Sequence, residues 1–327
     1  MVISPVAATR QVPEEARKIV ENLISECQKV VVGKTQIIED LLVALLSEGH
    51  VLLQGFPGVA KTTIAKTFAN TLGLAFSRIQ GSPDLLPADI VGTHVFDAAT
   101  GSFKLTRGPI FSSILLIDEI NRNTTKTNSA VLEAMQERQV TIEGETQPLP
   151  YPFMVIATQA PIELHGVFPL PEVLVDRFLL GLDVGYPGVS EEVEITERIY
   201  SIETREVARA ATSKQISHLT KLAKDVFIAP QVRSYIVDLV HKTRNSGEIM
   251  LGGSPRASIA LTKASQARAL IKGRLYVLPD DVKQLAPRVL NHRLVLSAQA
   301  RSQDLSTQQV VTRLLEEMPI PERPRTV

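Results

Sequence analysis

Apolar positions change their rhythm along this chain. Up to about residue 184 they come largely in short unbroken runs, and beyond residue 190 they recur at helical spacing. The runs predict buried strands ending at Gln54 and over 74–80, 113–117, 152–158 and 179–184. Between them the pattern predicts helices: one starting at Pro13-Glu14-Glu15, one over 35–47 with Ile37, Ile38, Leu41, Leu42, Leu45 and Leu46 on a single stripe, one opening at Lys61-Thr62, one over 124–137 and a short one over 171–178. Turn residues at 97–101 and at Gly144 predict two hairpins, 93–105 and 139–149.

Strands alternating with helices predict an α/β fold with a doubly wound parallel sheet. After residue 190 the β signal stops, and helices are expected over 191–202, 215–227, 231–245, 255–271, 280–290 and 307–317. The expected organisation is a tail over 1–12, an α/β domain over 13–188 with two hairpin inserts, a linker helix over 189–212 and a small all-α lid domain over 213–327.

Composition narrows the functional classes. The chain has 327 residues, 44% of them apolar, which suffices for two sizeable cores. Lysine plus arginine equals aspartate plus glutamate at 35 each, so there is no bulk electrostatic case for nucleic acid. The single cysteine, Cys27, lies on the apolar side of a helical pattern and reads as a core thiol. The six histidines lack zinc-ligand spacing. No apolar run approaches a membrane span and no signal peptide is recognisable at the start, so a cytoplasmic location is expected.

Residues 50–62 read His-Val-Leu-Leu-Gln-Gly-Phe-Pro-Gly-Val-Ala-Lys-Thr. This is strand, small-residue loop and helix start, the order in which backbone N–H groups close around a phosphate. Gly55, Pro57, Gly58, Val59, Ala60, Lys61, Thr62 and Thr63 are the candidate nucleotide-binding residues. Lys61 is expected to reach the β- and γ-phosphates of ATP, and Thr62 to bind Mg²⁺. Ala60, where the common pattern has Gly, is expected to have right-handed helical angles. Asp118-Glu119 ends a buried run, giving an acid for Mg²⁺ (Asp118) and one for the attacking water (Glu119). Thr158-Gln159 ends the next run, at the same carboxyl edge. Arg177, between a short helix and a strand, could pair locally with an acid or reach a neighbouring subunit's phosphate, and spacing alone favours the local pair. Arg256, at a helix start, reads as an anion ligand or a surface arginine.

These pieces together resemble the MoxR family of AAA+ ATPases, in the group with an insert in helix 2. The resemblance covers about residues 13–293 and rests on Gly55-Phe-Pro-Gly-Val-Ala-Lys-Thr62, Gly108-Pro-Ile-Phe111, Leu115-Leu-Ile-Asp-Glu-Ile-Asn-Arg122, Leu132-Glu-Ala-Met-Gln-Glu137, Val155-Ile-Ala-Thr-Gln159, Asp176-Arg-Phe178 and Ser254-Pro-Arg-Ala257. It implies a P-loop NTPase core with a lid, ATP and Mg²⁺ as cofactors, and assembly into a ring, commonly a hexamer, with ATP between subunits. It further implies that Arg177 is an arginine finger, Arg256 a second sensor, and Val32-Gly33 the segment touching adenine. The hairpins would face a pore or a partner, and the activity would be chaperone-like remodelling of a protein client, often beside a von Willebrand factor A domain protein. Two positions depart from the family pattern: Ala160 stands where an asparagine is usual, and Gly81 where phenylalanine is frequent. Ala160 favours a second reading, an ATP-binding assembly switch with weak turnover; a nucleic-acid motor is the third.

Overall fold

The computed structural model describes residues 12–159 and 169–321, the side chain of Glu203 excepted. Helices α1 (Glu14–Gln28) and α2 (Thr35–Leu46) lead into β1 (Val51–Gln54), α3 (Lys61–Thr71) and β2 (Phe76–Gln80). The short α4 (Pro87–Val91) precedes a hairpin of β3 (Gly92–Asp97) and β4 (Ser102–Arg107). Then come β5 (Ile114–Asp118), α5 (Thr125–Glu137), a second hairpin of β6 (Gln139–Ile142) and β7 (Glu145–Pro148), β8 (Met154–Thr158), α6 (Glu172–Val175) and β9 (Leu180–Asp183).

Five strands form one parallel sheet in the order β2-β5-β8-β1-β9. Its inner strands β1, β5 and β8 are apolar on both faces because both are covered, whereas the edge strand β2 carries Ser77, Arg78 and Gln80. Val51, Leu53, Ile114, Leu116, Met154 and Ile156 face α1–α3 and the helices that follow the sheet. Leu52, Leu115, Ile117, Val155 and Ala157 face the α4–α5 side. The register aligns the strands' carboxyl ends: Gln54 pairs Asp183, Leu53 pairs Thr158 and Gln80 pairs Asp118. Every strand therefore delivers its last residues to one edge.

Beyond the sheet lie α7 (Val189–Glu197), α8 (Ile199–Thr204), α9 (Ser213–Lys224), α10 (Pro230–Arg244), β10 (Ile249–Leu251), α11 (Pro255–Ile271), α12 (Pro279–Leu290), β11 (Val295–Leu296), α13 (Ala298–Ser302) and α14 (Thr307–Glu316). Helix α11 packs on α9, α10, α12 and α2, and α12 also meets β9. The lid thus shares one continuous apolar cluster with the sheet's α1–α3 face. Two ion pairs bind it to α2: Arg288 Nε to Asp40 Oδ2 at 2.6 Å and Lys272 Nζ to Glu39 at 2.9 Å.

Several sequence expectations need correction. The α2 helix is buried nearly all round, from Asp40 to Leu46, and not on one stripe, because α1, the sheet and the lid enclose it. The lid contains a small antiparallel β10–β11 ribbon, too short to register as a periodic pattern. The helix expected over 191–202 is two, broken at Arg198. Strand β2 begins at Phe76, two residues later than expected. Val12, read as the end of a tail, is buried in the core.

Candidate active site

The candidate phosphate loop between β1 and α3 departs from the dihedral angles of ordinary loops. Gly55 has φ 132°, and a Cβ there would lie 2.4 Å from the Val184 carbonyl oxygen, so only glycine fits. Gly58 has φ 84°. Ala60 has φ 61° and ψ 25°, left-handed, which overturns the right-handed expectation. It is the residue before helix α3, and the turn that aims the loop's N–H groups inward needs positive φ there. A non-glycine residue in that region carries about 1 kcal/mol of strain.

Lys61 opens α3 and turns its ammonium back into the loop, donating to the carbonyl oxygens of Gly55 at 2.5 Å and Phe56 at 3.0 Å. Burial lowers its pKa, and Asp118 opposes that shift. Thr62 Oγ1 donates to Asp118 Oδ2 at 3.1 Å. Asp118 also accepts from Arg78 Nε at 2.6 Å and from Thr158 Oγ1 at 3.3 Å. Thr158 Oγ1 in turn accepts the Glu119 N–H at 2.8 Å, so one hydroxyl orients both acids. Glu119 follows the strand with φ 56°, and its carboxylate meets Arg122 Nε at 2.8 Å and Gln80 Nε2 at 3.2 Å. Gln159 reaches the same edge, where its Oε1 accepts from Gln54 Nε2 at 3.0 Å. A hydroxyl and a carboxylate side by side, beside an ammonium satisfied only by loop carbonyls, are the oxygen donors and the cation that Mg²⁺ and a polyphosphate require.

Val32 and Gly33 flank this loop. Gly33 has φ 70° and lies against the Glu191 side chain. The next residue, Lys34, donates to the Tyr186 carbonyl at 3.2 Å, and the Tyr186 ring stacks on Phe56 with centroids 5.3 Å apart. The segment 32–34 and the chain leaving β9 therefore close on one side of the phosphate loop.

The two candidate arginines are elsewhere. Leu179 N–H donates to the His50 carbonyl at 2.8 Å, which puts the segment before β9 at the amino edge of the sheet, opposite the phosphate loop. Arg177 belongs to that segment, and Glu137, from the end of α5, is among the charges acting on it. Its Nε is buried without a hydrogen-bond partner, and its pKa is lowered by burial and then by Arg256. Arg256 stands at the start of α11, with Nη1 3.4 Å from Asp176 Oδ2. The strands between the two edges are about 10 Å long, so the structure joins Arg177 to Arg256 and joins neither to Lys61, Thr62 or Asp118.

The profile of the ATPase family associated with various cellular activities (AAA) matches residues 50–180, and that of the AAA lid domain matches residues 241–314. The chain is 42% identical over 311 residues to chaperone MoxR1 of Mycobacterium tuberculosis, covering 92% of this chain and 82% of that protein. It is 30% identical over 298 residues to protein MoxR of Paracoccus denitrificans, with 82% and 86% covered. The chain belongs to the MoxR family of AAA+ ATPases. A second relative, the uncharacterized protein YeaC of Bacillus subtilis, is 42% identical over 94% of this chain and 97% of its own length. The crystal structure of a candidate ATPase from Cytophaga hutchinsonii superposes with a TM-score of 0.88 at 38% identity, covering 94% and 96% of the two chains.

Against the MoxR pattern, Ala160 and Pro161 lie outside the described residues. Gly81 has a local cause. A Cβ there would sit 2.3 Å from the Glu119 carbonyl oxygen and 2.8 Å from that of Asp118. The sequence pattern gave no pointer to Arg78 beyond its place in an expected strand. It gave none to Arg293, which holds Asp176 from the lid at 3.0 Å.

Proposed function

We propose that this MoxR-family chain hydrolyses ATP in a ring-forming assembly and uses the cycle to remodel a protein client. The observation that carries the reading is the meeting of Thr62 Oγ1 with Asp118 Oδ2 at 3.1 Å, directly after Lys61 and its phosphate loop. Bound Mg²⁺ would neutralise charge on the phosphates, with Thr62 and Asp118 holding it. Lys61 exchanges its loop carbonyls for phosphate oxygens. Glu119, held in place through the Thr158 hydroxyl, orients and deprotonates the attacking water. Gln159 borders the same space. The segment around Val32-Gly33 would meet the adenine.

Arg177 and Arg256 cannot complete their own subunit's site from the opposite sheet edge. Their pairing supports a shared role on the ATP of a neighbour, where two guanidiniums stabilise charge developing on the phosphates. This favours Arg256 acting in trans, and it makes the ring a catalytic requirement. The hairpins offer a client surface: Phe96 and Phe103 are exposed and stack edge-on, with centroids 5.4 Å apart. A partner with a von Willebrand factor A domain and a cytoplasmic setting fit the same reading. Among the described residues, no helix is long and apolar enough to cross a membrane.

The decisive measurement is ATPase rate per subunit against protein concentration. A rate that climbs and then plateaus is expected for shared sites, and a flat rate from an active monomer would overturn the trans assignment. Ala160, in place of the family's asparagine, favours the alternative of an ATP-gated assembly switch. Tight binding with near-zero turnover at every concentration would select it.

A further inference from the structure

Arg293, just beyond the end of α12, is a guanidinium in the contact between lid and sheet, with its side chain only 3% exposed. Its five N–H groups all find acceptors. Nε donates to Asp176 Oδ1 at 3.0 Å. Nη1 donates to the Leu179 carbonyl at 3.1 Å and to that of Val289. Nη2 donates to the carbonyls of Phe178 at 2.6 Å and Asp176 at 3.4 Å. Burial lowers its pKa to about 10, still far above neutrality, so the charge is kept. One lid side chain thus holds the carbonyls of Asp176, Phe178 and Leu179, on either side of Arg177, while the Arg177 Nε itself is bound to nothing. The other oxygen of Asp176 accepts from Ser254 Oγ, the cap of α11, at 3.0 Å and faces Arg256.

We propose that Arg293 and Asp176 are positioning residues that fix Arg177 to the lid, so that a shift of the lid in one subunit moves the finger presented to the next subunit's ATP. The inference rests on the reading of Arg177 as a trans-acting finger. The physical basis is the shape of the guanidinium. Its planar fork can grip a carboxylate and several carbonyls at once, which an ammonium cannot. Leaving such buried acceptors unpaired is costly, so the segment around Arg177 follows Arg293 as a unit. When Arg256 meets an anion, the start of α11 shifts. Asp176 then passes the displacement to the backbone of Arg177 directly, and Arg293 keeps the segment and the lid in register.

The test uses the full chain and mixed assemblies. Arg293→Lys keeps the charge but loses the fork. It is expected to bind ATP with a Kd within about 2-fold of wild type and to lose on the order of 10-fold or more in kcat. Mixed with Glu119→Gln subunits, which retain sound fingers, Arg293→Lys subunits should recover activity. Mixed with Arg177→Ala subunits, they should recover none. Recovery in the control mixture of Arg177→Ala with Glu119→Gln checks the finger itself; its failure sinks the finger and this proposal together. Recovery in that control without recovery of Arg293→Lys overturns the positioning role alone, as does wild-type kcat in Arg293→Lys. Should Arg293→Lys fail to fold, Asp176→Asn replaces it in the same mixtures. Recovery with Glu119→Gln subunits then supports the positioning role, and no recovery overturns it.

Discussion

Thr62 and Asp118, separated by fifty-six positions in the chain, meet hydroxyl to carboxylate at 3.1 Å. The parallel register brings them together by ending β1 and β5 at one edge, and Thr158 from β8 braces the acid from the other side.

Lys61→Ala should abolish ATP binding, since the loop then lacks its only ammonium. Glu119→Gln should bind ATP with nearly wild-type affinity and lose turnover by about 10²-fold or more. Fluorescent-nucleotide titration and phosphate release measure the two separately. Turnover by Glu119→Gln equal to wild type would remove that residue's role.

Arg78 Nε donates at 2.6 Å to Asp118 Oδ2, the oxygen that also meets Thr62 and that the proposed Mg²⁺ would approach. Its side chain is half exposed, so the competition is screened and modest. Arg78→Gln should therefore lower the Mg²⁺ concentration for half-maximal activity by about 2–5-fold. An increase would mean that Arg78 holds Asp118 ready rather than competing for it.

Gly81→Ala forces a Cβ against the carbonyls of Asp118 and Glu119. The main chain after β5 must shift, and this is the segment that aims Glu119. We expect a stability loss of about 2 kcal/mol and a fall in kcat exceeding what unfolding explains. Denaturant midpoint and kcat, measured on the same preparation, separate the two effects.

His50 is buried, and burial depresses its pKa to about 4. Its Nδ1 accepts the Val155 N–H at 2.9 Å, and Nε2 lies 3.1 Å from the Met135 carbonyl, so the neutral ring fills both contacts. The unfolded chain binds a proton that the folded chain refuses between about pH 6.5 and pH 4. Stability is therefore complete above pH 6.5 and falls as pH drops toward 4, by on the order of 2 kcal/mol at pH 5. His292, also pushed well below the ordinary histidine value by burial, adds in the same direction. His50→Gln should lower stability at pH 7 and flatten this slope. An unchanged slope would assign the whole effect to other groups.

The sequence by itself determined the local pieces. Unbroken apolar runs marked the inner sheet strands, which are buried on both faces, and helical periodicity marked most of the helices, which are buried on one. Lys61, Thr62, Asp118 and Glu119 stood out as candidates because a small-residue loop before a helix and a strand-end acid pair are short contiguous patterns. The tertiary structure alone decided Ala60's left-handed angles, Arg78's hold on Asp118, the need for glycine at position 81, and the separation of Arg177 and Arg256 from their own phosphate loop. These depend on which sheet edge a segment reaches and on which side chains meet across distant stretches. Such meetings are set by strand order and helix packing, and they leave no local pattern to read.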